Sequence, residues 1–409
     1  MKSFALFAAI TFLFFGSQAS NGQSEAFQIP DGATNDQIVS IANQASANGI
    51  KSKKIQLQFA KLLTSESIDV RVACVDAIPY LGTPTNEVIE LMFESVRVPG
   101  VTRDSRKYGQ LAATAIAQIG EPVVPIVVKK LESDSSPIFV VSTEVVHLLG
   151  DKAVAAVPVL IRKLEPGPSQ WPAAYALVGM GPKAKAAIPA LTKMLDGKNF
   201  NLFCMAARAL GSIGPDAISV KDKLIAKAKT GNSSERGRAM EALGGMGAID
   251  DKDVAELFKT GISADYLNVR DMAMIGIGLS KEKAKEFIPL VEDAITNKKF
   301  NTKPEAAYTL AMIGGSMETA VDTLVKSMAN PTDELSSLEK LKALGEDAKA
   351  ALPAITELLD SDDDFLRALA IEAIAEIGPS EQHAKRFKGL MKNSEFRTAR
   401  AARIALEKK

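Results

Sequence analysis

The sequence predicts an all-α fold, an α-α superhelix of about eleven two-helix repeats followed by a C-terminal capping helix. Three observations carry that expectation. Glycine-marked turns recur at a nearly constant interval along the chain, and each interval holds two stretches whose apolar residues keep helical period. Aromatic residues make up only 6% of the 409 residues while Ala and Leu abound, which suits closely packed helices better than a sheet-based core.

The unit is clearest between Ala343 and Ser380. Ala351, Leu352, Ile355, Leu358 and Leu359 fall on one side of a helix. Ser361, Asp362, Asp363 and Asp364 then supply N-cap oxygens and first-turn negative charge to a second helix. Phe365, Leu369, Ile374 and Ile377 are its apolar side, and Gly378 ends it. A pair of this size cannot bury its own apolar face, so it must stack on others like it.

The other copies follow in order. Ser20 to Ala33 is polar, has a turn at Pro30-Asp31-Gly32, and reads as a linker (20–33). From Thr34 onward, turns equivalent to Gly378 fall at Gly49, Gly82, Gly120, Gly150, Gly181, Gly214, Gly247, Gly314 and Gly345. Lys281 fills the place between Gly247 and Gly314. The intervals are 33, 38, 30, 31, 33, 33, 34, 33, 31 and 33 residues, so residues 34–409 read as one solenoid. Pro158, Pro189 and Pro353 each stand eight residues after a turn, where a proline opens the next helix or kinks it early. Arg71, Arg236, Arg270, Lys303 and Arg367 each stand eleven residues before one.

Residues 1–19 have another purpose. Lys2 gives a short positive region, Phe4 to Phe15 an apolar run, and Ser17-Gln18-Ala19 a small-x-small cleavage site. That is the pattern of a secretory signal peptide, short of the ~20 residues a spanning helix needs. The mature chain is therefore expected to be exported, periplasmic or secreted, without stable membrane insertion. Cys74 and Cys204, four repeats apart, are expected as unpaired buried residues.

The segments VRVACVDAIPYLG, LRALAIEAIAEIGPS and LGEDAKAALPAITELLDSDDDFLR resemble HEAT repeats of the bacterial kind also found in phycobilin lyase-related proteins. The resemblance covers about residues 34–409 and implies a HEAT-like solenoid. It says little of function, because the residues that carry it are structural. It also implies that the second helices line the concave face. Iron hydroxylases with HEAT repeats carry His-Glu pairs as ligands, and this chain has no His-Glu dipeptide. Departures from the pattern are Lys281, the long 82–120 interval, and Pro166-Gly167-Pro168 before Trp171.

Little in the sequence points to catalysis. His147 and His383 are the only histidines, seven repeats apart, and cannot share a metal or a triad. No phosphate-binding glycine loop or nucleophile-elbow motif occurs. The glycines of GGMG and IGIG read as helix-end and close-packing residues. No cofactor is expected. The 49 basic and 49 acidic residues cancel, so no global charge draws the chain to nucleic acid or an anionic membrane.

Two local charge features remain. The stretch Val96 to Tyr108 reads as a projecting loop with Arg97, Arg103, Arg106 and Lys107 opposed only by Asp104. A basic column also appears once the turns are aligned. Lys61, Arg162, Lys163, Lys193, Lys227, Lys259 and Lys326 stand twelve or thirteen residues after their turns, with Lys129 and Lys130 joining them if one repeat is shifted. Glu357 interrupts the column. Its members are either a basic stripe for an acidic or polyanionic ligand or last-turn cations that satisfy helix C-termini for ~0.3–1 kcal/mol each. The C-terminal helix is basic too, with Arg397, Arg400 and Arg403 on one face, as a capping repeat requires.

The expected function is an exported, non-catalytic protein-protein interaction scaffold. The alternatives are an enzyme of the HEAT-type lyase or glycosylase kind, at odds with an export leader, and a polyanion-binding protein that uses the basic stripe. A specific site is expected in the less regular repeats between Gly82 and Gly181.

Overall fold

A computed structural model describes residues 27–97, 102–133, 135–297, 303–393 and 395–408, with the backbone alone at 102–106, 392, 393 and 396. The signal peptide expected at 1–19 lies outside the described residues. The structure is all-α, as expected, with helix pairs packed in rows and no strand among the described residues. It divides into two compact units, Met1–Ile126 and Val127–Lys409.

The first unit opens on a turn in which Ala33 N–H donates to Pro30 O at 3.2 Å. Helix α1 (Asn35–Ala47) starts with a capping box, in which Thr34 and Gln37 satisfy each other's backbone N–H. It packs on α3 (Ile68–Ala77), and α2 (Lys53–Lys61) packs on α4 (Asn86–Glu94). Phe59, Ile78, Leu81, Met92 and Phe93 are almost fully buried between them. Gln56 is buried as well; its Nε2 donates to Ile78 O (3.2 Å) and Gly82 O (2.7 Å), fastening α2 to the turn after α3.

The long 82–120 interval is resolved differently from the expected loop. After a short 3-10 turn at Ser95–Arg97, a 17-residue helix α5 (Thr102–Gln118) already runs through Lys107 and Tyr108. The extra residues lengthen a helix, and its first turns are held from inside. Buried Tyr108 donates to Ser95 Oγ at 2.9 Å, and the Arg71 guanidinium lies 5.2 Å from the Tyr108 ring centroid. The unit boundary falls within α6 (Val124–Lys130).

In the second unit the odd-numbered helices are α7 (Ser136–Leu149), α9 (Gln170–Met180), α11 (Phe200–Ile213), α13 (Ser233–Gly245), α15 (Leu267–Leu279), α17 (Lys303–Met312), α19 (Glu334–Leu344), α21 (Asp364–Ile377) and α23 (Phe396–Glu407). The even-numbered ones are α8 (Val157–Lys163), α10 (Ile188–Leu195), α12 (Lys221–Thr230), α14 (Lys252–Ile262), α16 (Ile288–Thr296), α18 (Met317–Met328), α20 (Leu352–Glu357) and α22 (Glu381–Asn393). Odd helices pack on odd helices along one layer, and even ones fill the other.

The turn between an odd helix and its even partner explains the sequence period. Five turns are seven-residue 3-10 helices: Gly150–Ala156, Gly181–Ala187, Gly214–Val220, Lys281–Phe287 and Gly345–Ala351. Three of them kink at their fourth residue, Ala153, Ala284 and Ala348, where the backbone leaves helical geometry. Ala153 and Ala156, like Ala348 and Ala351, are essentially buried. The prolines then sit in the first turn of the next helix, where no N–H is needed. Lys281 keeps the same turn despite its side chain. Its φ of 52° is the only positive value of a non-glycine among the described residues.

The recurrent basic residue before each turn also has a local task. Arg270 Nη1 donates to Ala264 O (2.6 Å) and Asp265 O (3.2 Å), and Arg367 Nη1 to Ser361 O (2.5 Å). Each closes the connector that precedes its own helix.

Glycines set the spacing of the odd layer. A Cβ on Gly179 would stand 2.1 Å from His147 O, and one on Gly244 2.0 Å from Gly276 O. The backbones of α7 and α9, and of α13 and α15, are thus in contact at these points. Adjacent even helices touch only sparsely.

Candidate binding edge and aromatic stack

Where even helices end and odd helices begin, the second unit carries an unusual surface. Val140, Trp171, Phe200, Leu267, Leu335 and Phe365 all lie in the first two turns of successive or near-successive odd helices, and each is 44–49% exposed. A scattered exposed apolar residue needs no explanation, but large ones recur here near the starts of six odd helices, ten residues before the following turn at Val140, Trp171 and Leu335 and thirteen or fourteen before it at Phe200, Leu267 and Phe365.

The basic column runs along the same edge. Lys163 Nζ lies 5.4 Å from the ring centroid of Phe139 in α7, and Lys227 Nζ 5.1 Å from that of Phe203 in α11. Several members are already neutralised. Arg162 is paired with Glu132, Lys326 with Asp322 at 2.6 Å, and Lys227 with Glu235 at 2.9 Å. Glu235 also completes the capping box with Asn232 at the start of α13, and the Lys227 ammonium holds its carboxyl below the ordinary range. Lys193 and Lys259 are exposed at the last turns of α10 and α14, and Lys129 is exposed in α6. Lys130 is half-buried and engaged. In the first unit, Arg97 pairs with Glu94 at 3.3 Å, and Lys107 is exposed. The side chains of Arg103 and Arg106 lie outside the described residues. The sequence thus marks the column, while the structure shows which of its charges have partners.

One feature of the edge was hidden in the sequence. Trp171 lies flat on Tyr175 one turn later, with centroids 5.5 Å apart and planes at 5°. Tyr175 in turn stacks on His147 of α7, at 4.1 Å and 18°. His147 Nδ1 is 3.0 Å from Tyr175 O, so that nitrogen carries the proton and the ring is fixed. Tyr175 OH donates to Glu144 Oε1 at 3.3 Å. Burial and the neighbouring Glu144 carboxylate push the Tyr175 phenol up, and Arg208 opposes them. The stack falls within the less regular stretch that ends at Gly181, next to Pro166-Gly167-Pro168. His147 and Tyr175 are 28 residues apart in sequence, and only the stacking of repeats joins them.

The remaining candidate groups are engaged elsewhere. His383 Nδ1 accepts from Ser380 N–H at 3.0 Å, which leaves the proton on Nε2, 2.9 Å from Thr356 Oγ1. Cys74 is buried, and desolvation pushes its thiol up to about 12. Half-buried Cys204 is also raised, chiefly by burial. Both are free thiols. Among the described residues no group of three or more His, Cys, Asp or Glu is placed to hold a metal ion.

No family model matches this chain, and no curated protein matches it. Solved structures to which it is similar include an engineered protein, 18% identical, covering 88% of this chain and 99% of that one with a TM-score of 0.36. Another is the complex of CpcE and CpcF of phycocyanin lyase from Nostoc sp., 21% identical over 66% of this chain and 93% of that one, TM-score 0.38. A third is importin beta, 12% identical over 92% of this chain and 62% of that one, TM-score 0.40. The fold rests on the helix pairs themselves, not on these likenesses.

Proposed function

We propose that the chain is an exported, non-catalytic protein-interaction scaffold that docks its partner along the edge where the odd helices begin. The observation that carries this reading is the repeated exposure of large apolar side chains near the starts of odd helices, from Val140 to Phe365. Apolar side chains that recur along a row offer contiguous area to a protein surface, and the neighbouring lysines supply a polar rim. Export rests on the leader-like residues 1–19 and is checked by N-terminal sequencing of the mature protein, which should begin after Ala19.

The docking reading is tested by photo-crosslinking in the native host. A crosslinker in place of Phe200 or Leu267 should capture one recurrent protein, and the same group at exposed Lys183, in the turn that ends α9, should not. Equal capture from both places sinks the reading. Polyanion binding draws support from the exposed lysines of the column, Lys129, Lys193 and Lys259. It requires that Lys193→Glu with Lys259→Glu abolish a salt-sensitive affinity for heparin.

A further inference from the structure

The edge where the even helices end changes sign along its length. Lys193 and Lys259, in the last turns of α10 and α14, and Lys198, just after α10, are exposed. None of the three pairs with a carboxylate among the described residues. Farther along, acids take over. Glu357 ends α20 where the column has lysine, and Asp362 follows in the connector to α21; both are exposed. Asp333 and Glu334 open α19. The exposed apolar side chains span both parts, with Phe200 among the lysines and Leu335 and Phe365 among the acids.

The basic part also holds a recess. Leu195, Phe203 and Ala226 line an open cleft of about 240 Å³ between α10, α11 and α12. That is below the ~300–1,000 Å³ of small-molecule sites and suits a single large side chain. The carboxylates beside it are already engaged. Lys223 donates to both oxygens of Asp196, at 2.6 and 2.7 Å, and Glu235 accepts from Lys227 at 2.9 Å. Lys227 Nζ lies over the Phe203 ring with donors to spare, and Lys193 and Lys198 flank Leu195 and Asp196 in sequence. The cleft therefore matches an apolar side chain with carboxylates next to it. A polyanion answers the lysines but leaves the cleft empty, and a basic partner is repelled.

Phe365, 49% exposed and close to Asp362 and Glu357, is such a group on the same chain. Helices α13 to α20 stand between it and the cleft of its own molecule, so only a second copy can bring the two together. Across a two-fold axis any such pairing is made twice, and an edge basic at one end and acidic at the other is self-complementary.

We propose that two copies of this chain dock antiparallel along the edge, with Phe365 of each in the α10–α12 cleft of the other and Glu357 and Asp362 against Lys193 and Lys198. The proposal rests on the edge-docking reading and names its occupant.

Sedimentation velocity of the mature chain tests it. The wild type should pass from monomer to dimer as concentration rises, and added salt should weaken the dimer. Ala226→Trp fills the cleft from its exposed side, and Phe365→Ser removes the anchor. Each should raise the dimer dissociation constant about tenfold or more. Glu357→Lys with Asp362→Lys should weaken the dimer as well, and adding Lys193→Glu with Lys198→Glu to the same chain should restore it. Circular dichroism establishes that each variant is folded. A chain that stays monomeric up to about 100 μM overturns the proposal, as does a dimer indifferent to Ala226→Trp and Phe365→Ser. Failure of the exchanged charges to restore the dimer overturns it too. A monomer whose Phe200 crosslinker still captures a foreign protein overturns self-docking and leaves edge docking standing.

Discussion

The odd helices of the second unit are joined in two different ways. From α7 to α15 the junctions include glycine contacts between backbones, at Gly179 against His147 and Gly244 against Gly276. Around α19 to α23 the helices stand open enough for side chains, and charges span them. Lys342 reaches Glu372 at 2.6 Å, Lys408 pairs with Glu376, and Ala375 lines the cleft among them. Two carboxylates on these helices are held in opposite ways. Asp271 of α15 has a buried Oδ1 with no hydrogen-bond donor, and desolvation and then Glu305 push its carboxyl up to about 6. Glu376, bonded by Lys408, is instead held below the ordinary range.

The largest test of this contrast is steric. Gly244→Val should destabilise the protein by roughly 3 kcal/mol or more, because the added atoms have only backbone to displace. Ala375→Val, at the same register in α21, should cost under about 1 kcal/mol, since it enters an open cleft. Urea unfolding read by circular dichroism measures both, and equal losses would erase the distinction. Next is the turn of Lys281, which sits at the end of glycine-packed α15. Lys281→Gly should raise stability by about 1 kcal/mol by relieving a left-handed non-glycine residue.

Asp271→Asn tests the stranded charge. An acid with a raised folded pKa contributes stability that is full below its unfolded value of 3.8 and is lost as pH rises through about 6. The variant should therefore match the wild type near the lower value and exceed it above the upper one. The difference should be at most about 1 kcal/mol once the group's partial exposure is allowed for. A flat difference across that window would show that Asp271 is not strained. The smallest effect belongs to the open junction. Lys342→Ala should cost no more than about 0.5 kcal/mol, and high salt should remove even that.

Much of this architecture is legible because a solenoid writes its packing into a period. Gly345, Ala348, Ala351 and Pro353 are spaced as one 3-10 turn requires, and the same spacing recurs wherever the turn does. Charge pairing is not legible in that way. Nothing adjacent to Lys227 announces that Glu235 serves it as well as the α13 cap, nor that Glu132 neutralises Arg162 from the preceding repeat. The Val96–Tyr108 stretch misleads for a related reason. Pro99-Gly100 breaks the pattern, but the Tyr108 hydroxyl held by Ser95 brings helix back within a few residues. The aromatic stack was out of reach except as a region, because His147 and Tyr175 meet only when neighbouring repeats are superposed.

The glycine suture between Gly244 and Gly276 joins residues 32 apart, and the Ser280 hydroxyl reaches back 36 residues to Gly244 O. Both ties bind a repeat to its immediate predecessor. A chain closed in this manner need not search for distant strands or wait for its far end. Each repeat can dock on its neighbour without the rest of the array, so folding can begin at any repeat and spread from one to the next. The same locality sets how it fails. Replacing one suture glycine should therefore speed amide exchange most in its own repeat and the adjoining one, and least in the distant ones.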